Sequence, residues 1–439
     1  MKNISGQRNK GESQMEKNRA TDYLQAGYGE IDITPPLGTD LAGFGFYLDR
    51  RATIVRDRLK ARSLCLQGKE ETILILSLDL LSLSVDFADR CRRQISRETG
   101  IPFKNILLAC THTHSGPAVQ PLPGLGKINR EYVRRLSGLF LEAARKARAN
   151  LEEAEVGFQA EAVEPIGYNR RLNSFSPIDP WLKTGIFKQK KRTIFLLNYA
   201  CHAVTLGPTK EISSDWPGAA VNEIERSGNK ALVLQGFCGD IDPVTYLNRR
   251  LGATREDYYL SGRIIAARAL KSVKYTKFRK DVVLKSAENR IRLPLSVFPW
   301  EDLERETAAA LEANQQFLHA ARVISLWRKK IEKHYKAFAS SPWLENVPVQ
   351  AIRVGEMRIL CLPGEAFCSL GLKLREKFPS LMTAGYANGD VGYLPTEEAY
   401  LNPDDYACYC APKFYGLFNF APAVEKVLIE ESSRVLSSI

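Results

Sequence analysis

Apolar and polar positions along the chain fall into short blocks, and the blocks predict alternating strands and helices. Acidic and apolar residues alternate from Glu30 to Ile33, which fits a strand that Pro35-Pro36 ends. Residues 57–67 and 71–79 read as paired strands joined at Gly68-Lys69. Val85 to Thr99 reads as a helix stopped by Gly100-Ile101-Pro102. The apolar run Ile106–Ala109 reads as a buried strand leading into a polar loop, with Gly116-Pro117 as the stop. Residues 130–150 predict a long amphipathic helix with Tyr132, Leu136, Leu139 and Ala143 on one face. Further strands are expected at 155–163, 181–187, 193–198 and 231–235, and two more within 349–361 that turn at Gly355-Glu356. A closing helix is expected at 421–437. Residues 299–338 are rich in Glu, Ala, Leu and Lys and read as a helical hairpin or cap over the core, a candidate wall of a substrate groove. The implied fold class is α/β: a large mixed β-sheet core flanked by helices, with a helical insertion near 299–338.

At 439 residues the chain exceeds the usual size of one core, so one large domain with embellishments or two domains are expected. Residues 1–25, polar and without an apolar stretch, read as a disordered tail, and 26–439 as the folded part. No secretory signal and no run of ~18 uncharged apolar residues is seen; Asp79 interrupts the most apolar segment, Thr72–Val85. Nine cysteines without a CxxC pair suit reduced, buried thiols, and with them a cytoplasmic location. The net charge of +12 would suit an anionic partner, but the basic residues are dispersed. The densest run, Lys188–Arg192, lies between two strand-like segments and reads as a solvated turn. No nucleic-acid signature accompanies it, so no nucleic-acid partner is expected.

Candidate chemistry concentrates on histidine. The chain has only five, and His112 and His114 stand one residue apart after an apolar run. On a strand, residues i and i+2 point to one side, so both rings could face a pocket at the sheet's carboxyl edge, where open α/β sheets bind ligands. The plainer reading is two unrelated polar residues in a turn. His202 also follows an apolar run, Phe195–Tyr199, whereas His319 and His334 lie in a charged helical segment and read as solvated. Asp79 ends a run of strand formers and could share the histidines' edge. Asp215 precedes Trp216-Pro217 and reads as a helix cap or a site residue. Asp240 and Asp242 sit in a glycine-rich loop after a strand. Glu365 lies between a strand and a helix start, where dipole effects alone favour an acid. Residues 385–396 contain Asn388-Gly389 and imply a tight loop.

Taken in order, these motifs resemble the catalytic N-terminal domain of the neutral (alkaline, non-lysosomal) ceramidase family. The segments that carry the resemblance are Thr111-His112-Thr113-His114-Ser115-Gly116-Pro117, Asn169-Arg170, Ala200-Cys201-His202, Gly239-Asp240-Ile241-Asp242-Pro243, Pro363-Gly364-Glu365, and Gly392-Tyr393 through Glu397-Glu398, over roughly Ala26 to the C-terminus. The resemblance implies a zinc amidase acting on N-acyl sphingoid bases, with one zinc per chain. His112, His202, Glu365 and Tyr393 match the family's zinc ligands. His114 matches a histidine beside the substrate, Arg170 an arginine at the reacting centre, and Tyr406 a second active-site tyrosine in a loop one residue longer. Should Tyr393 fail as a ligand, Asp79 or Asp215 is the substitute. Asp242 stands where the family has serine, exchanging a hydroxyl donor for a carboxylate. Ala118-Val119 replace an expected glycine pair, and the family's C-terminal immunoglobulin-like domain does not follow.

These residues suit a metal-activated water attacking an amide carbonyl, with His114 as the acid/base. The resemblance thus implies hydrolysis of a small-molecule or lipid N-acyl substrate, without a transmembrane segment but with room for peripheral membrane contact. Two alternatives are an esterase or lactonase on the same site, and a degenerate homologue that binds an acyl or anionic ligand without turnover.

Overall fold

The computed structural model describes residues 23–248 and 255–439. The expected tail thus lies outside the described residues up to residue 22. Leu24 is already buried, and the first strand starts at Gln25, one residue ahead of the expected boundary.

Most strands fall in three sheets built on one plan, and three two-stranded ladders accompany them among the described residues. In the first sheet, β1 (Gln25–Asp32), β2 (Lys60–Gln67) and β3 (Thr72–Leu78) are antiparallel neighbours. Helix α1 (Val85–Thr99) then leads to β4 (Ile106–Cys110), which lies parallel to β3. After α2 (Arg130–Ala149) the plan recurs. Strands β5 (Glu155–Ala162), β6 (Trp181–Lys188) and β7 (Thr193–Tyr199) are antiparallel. Helix α3 (Asp215–Glu225) leads to β8 (Lys230–Gln235), parallel to β7. Helix α4 (Arg255–Ser272) follows. The third sheet has β9 (Leu284–Ser296), β10 (Trp343–Val354) and β11 (Met357–Cys361) antiparallel. Helices α5 (Leu303–Ala313) and α6 (Ala320–Ser340) form the expected insertion between β9 and β10. Helix α7 (Cys368–Lys377) then leads to β12 (Leu381–Ala384), parallel to β11, and α8 (Val424–Ser437) closes the chain.

Strands buried on both faces favour apolar side chains on both, which is why these segments read as near-continuous apolar runs. Ile73 and Ile75 of β3, Leu232 and Leu234 of β8, and Ile359 and Cys361 of β11 all enter one core shared by the three sheets. The intervening Leu74, Leu76, Ala231 and Val233 face a second core with α1, α2 and α3. Leu360 faces a third core, formed with α5, α6, α7 and α8. Polar bonds join the layers: Arg92 of α1, fully buried, pairs with Glu288 of β9 and donates to the Ile106 carbonyl at 2.9 Å.

Local stops follow the sequence. Gly100 takes φ 73° and returns its N–H to the Ser96 carbonyl, ending α1 as expected. All nine cysteines are free, eight of them buried and Cys410 half-buried, in keeping with structural thiols.

Candidate metal centre and active site

The plan repeated in the three sheets brings the candidate residues together. His202 lies just beyond β7, Glu365 just beyond β11 and His112 just beyond β4, at the carboxyl ends of the parallel pairs. This is where open α/β sheets leave a crevice.

The route of His112 differs from strand alternation. Strand β4 ends at Cys110, and His112 takes φ +60°, a left-handed conformation costly for a non-glycine residue. The loop, not the pleat, converges the two rings: His112 Nε2 and His114 Nε2 are 3.0 Å apart. The His112 ring stacks on Tyr386 at 3.7 Å between centroids, 13° from parallel. Tyr386 is carried by the tight 385–396 loop, whose backbone bonds to Gly364, Leu362 and Leu108.

Proton positions follow from the partners. A neutral imidazole carries one N–H. His112 commits its Nδ1–H to the Leu81 carbonyl at 2.9 Å, and His202 its Nδ1–H to the Ile241 carbonyl at 3.1 Å. Both Nε2 lone pairs then face Glu365 Oε2, at 3.4 and 3.2 Å. Three acceptors thus converge in a buried space with no proton of their own between them. His114 is the reverse case. Its Nδ1 accepts the Phe44 backbone N–H at 3.2 Å, so its single proton sits on Nε2, facing His112. Burial holds the His114 pKa well below the usual range and keeps the ring neutral.

The ligand atoms of His112, His114 and His202 all lie within 4.8 Å of one another, a group able to hold a metal ion. Neutral imidazoles and a carboxylate are the donor set that zinc prefers. Arg170 donates to the Tyr393 hydroxyl at 2.7 Å, to Asp242 Oδ1 at 3.1 Å and to the Gly239 carbonyl at 2.8 Å. Burial pushes the Tyr393 phenol well above its usual pKa despite the Arg170 guanidinium beside it, so the hydroxyl keeps its proton. Tyr406 opens a π-helical turn, with Ala411 N–H bonded to the Tyr406 carbonyl five residues back, and its ring packs edge-on against Tyr393. With 42% of its surface exposed it stands at the mouth.

His112, His114, Arg170, Asp242, Glu365, Tyr393 and Tyr406 all border one cavity of about 620 Å³, and His202 lies behind it. Phe44, Phe46, Phe317, Leu125 and Phe414 make its walls largely apolar. Phe317 comes from the tip between α5 and α6 and stacks on Phe46 at 5.0 Å, so the helical insertion does wall the cavity.

Two substitute candidates lie elsewhere. Asp79 is buried against Arg62, 2.6 Å away, and accepts the Lys60 N–H. Asp215 accepts backbone N–H groups of Thr205, Leu206 and Trp216 and starts α3 with φ +54°, while Ser214 occupies the cap position. Both carboxylates serve the backbone rather than the cavity. Sequence reasoning missed Tyr415, whose hydroxyl donates to Glu365 Oε1 at 2.7 Å and lies 3.2 Å from Asp390 Oδ2. It also missed Tyr386 and Asp390. None of them stands in a pattern that chemistry alone would single out.

No protein-family model matches the chain, and no curated protein matches it in sequence. Among solved structures it is similar to neutral ceramidase from Pseudomonas aeruginosa, at 16% identity and a TM-score of 0.71, over 95% of this chain and 74% of that one. A structure described as ceramidase complexed with C2 matches at 15% identity and a TM-score of 0.70, over 95% and 75%. At this identity the likeness establishes the architecture: the chain has the mixed α/β fold of the neutral ceramidases, as its ordered motifs implied.

Proposed function

We propose that this protein is a zinc-dependent hydrolase that cleaves an N-acyl amide bond, with His112, His202, Glu365 and Tyr393 as the ligands of one zinc ion. The observation that carries the reading is the convergence of His112 Nε2, His202 Nε2 and Glu365 Oε2, three acceptors whose mutual approach a cation would relieve. His114 belongs to the histidine group by distance, but its Nε2 already bears a proton, so it acts as a donor beside the ion rather than a ligand.

Zinc bound there would supply a water of pKa around 7 as nucleophile and a Lewis acid for the scissile carbonyl. The chain's own residues supply the rest. His114 Nε2–H is the donor for the developing oxyanion, and the attacking water itself supplies the proton that the leaving amine takes. Arg170 keeps the Tyr393 oxygen oriented and stabilises its ionised form, while Asp242 balances the guanidinium charge. Tyr406 offers a hydroxyl at the mouth. The aromatic walls accept an acyl chain and exclude water, which strengthens each of these interactions.

The proteins of like fold are named ceramidases, which favours an N-acyl amine with a long chain, ceramide or a smaller analogue, as substrate. No helix among the described residues is long and apolar enough to cross a membrane. The test is metal content beside a panel of N-acyl amides, esters and lactones. About one zinc per chain, lost in His202→Ala, with turnover of amides, is expected. Turnover of esters or lactones alone would replace the amidase reading, and wild-type protein that takes up no zinc would overturn it.

A further inference from the structure

The loop Gly43-Phe44-Gly45 is wound left-handed through three consecutive residues, with φ of +89°, +61° and +55°. At Phe44 this conformation is strained, and strain of this kind persists only where the surroundings over-determine it. The loop is also pressed against His114. A Cβ on Gly43 would lie 2.5 Å from His114 Cγ, and the Phe44 ring meets the imidazole edge-on at 4.8 Å.

One buried side chain holds all of these pieces. Arg50 is 5% exposed. Its guanidinium donates to the carbonyls of Ala42 at 2.6 Å, His114 at 2.9 Å and Thr209 at 2.9 Å, and lies 4.9 Å above the Phe44 ring. Among the described residues no carboxylate acts on it, only the Tyr246 phenol, and its Nε has no acceptor. A buried, uncompensated cation is costly, and a hydrophobic or carboxylate-paired solution would stabilise the fold more. What the guanidinium supplies is geometry: a planar fork reaching three carbonyls on three separate segments, which a lysine ammonium on its flexible stem does not match.

We propose that Arg50 is a positioning residue that clamps the strained 42–45 loop onto His114, so that the Phe44 N–H caps His114 Nδ1 and the ring proton is fixed on Nε2, facing the metal centre. This rests on the role given above to His114 but not on zinc being bound. Without the clamp the loop relaxes, Nδ1 loses its donor, and the ring samples both tautomers.

The test is ¹⁵N–¹H long-range correlation on full-length protein labelled at histidine. Only five histidines need assignment, by single His→Gln variants. Wild-type His114 is expected to be protonated at Nε2 alone. In Arg50→Met its two nitrogens should move toward averaged shifts, and kcat on a cleaved N-acyl amide should fall roughly tenfold or more with KM and zinc content unchanged. A His114 signal in Arg50→Met identical to wild type would overturn the proposal. If that variant does not fold by circular dichroism, Arg50→Lys decides by the same spectrum: averaging supports the clamp, and wild-type shifts overturn it. Wild-type protein without zinc would remove the hydrolase reading and leave the tautomer result standing.

Discussion

Tyr415 donates its hydroxyl to Glu365 Oε1 at 2.7 Å, which leaves Glu365 Oε2 as the oxygen that faces His112 and His202. Partners of this kind orient a ligand and raise its affinity for metal, and their loss commonly costs ~10–100-fold. Tyr415→Phe should therefore weaken zinc binding by roughly that factor while the fold is kept. Competition against a chelator of known affinity reads it directly, and wild-type affinity in the variant would remove Tyr415 from the metal site.

Metal should stabilise the protein as well as activate it. A ligand that binds only the folded state at ~1,000 times its Kd adds about 4 kcal/mol. Added zinc should raise the melting temperature of wild type, and the rise should vanish in Glu365→Gln, which removes the anion on which both imidazoles converge. An equal rise in both proteins would place the zinc elsewhere.

Asp79 and Arg62 separate structural from ligand carboxylates. Both are buried, 2.6 Å apart, so removing one leaves the other charge unpaired. Asp79→Asn should cost about 3–5 kcal/mol in denaturant unfolding. Zinc content at temperatures where the variant is folded should stay at the wild-type level. Loss of zinc from folded Asp79→Asn would return Asp79 to the ligand set.

Asp390 should give the metal-free protein a pH-dependent weakness. Burial, reinforced by Glu365, pushes its pKa up to about 7, well above the ~3.9 of an unfolded chain. A raised folded-state pKa means that stability is fully present below the unfolded pKa and is lost as pH rises through about 7. Asp390→Asn keeps an acceptor for the Gly392 N–H and a donor for Tyr415 but does not ionise. Relative to the variant, chelator-treated wild type should lose stability from pH 5 to pH 8 in urea titrations. Parallel curves would show that Asp390 does not titrate in that range.

The wall at the helical tip should set chain-length preference. Phe317 stacks on Phe46 inside the cavity. Phe317→Ala should raise KM for long-chain N-acyl substrates about tenfold and leave short-chain substrates nearly unchanged. A uniform change across chain lengths would argue that the tip only supports the fold.

Much of the fold was legible because its causes are local. Gly100 stops α1 through its own left-handed φ, and the β3, β7 and β11 runs are mostly apolar because both faces of each strand are covered. The strands within 57–79, 181–198 and 349–361 fell where turn residues and apolar runs put them. The histidine pair and His202 stood out because histidine is rare here and each follows an apolar strand.

What the sequence by itself determined, then, is where strands end and which titratable groups stand at those ends. The tertiary structure decided which of them meet. Asp79 and His112 both follow strands of one sheet, yet Asp79 turns to Arg62 while a left-handed residue swings the His112 ring toward Glu365 of another sheet. Tyr415 reaches Glu365, and Arg50 reaches His114 and Thr209, through hydrogen bonds between segments far apart in the chain, set by how the sheets pack. Backbone periodicity records which face of an element is buried. It does not record which side chains from different sheets arrive within 3 Å of one another, because that distance depends on packing summed over the whole core.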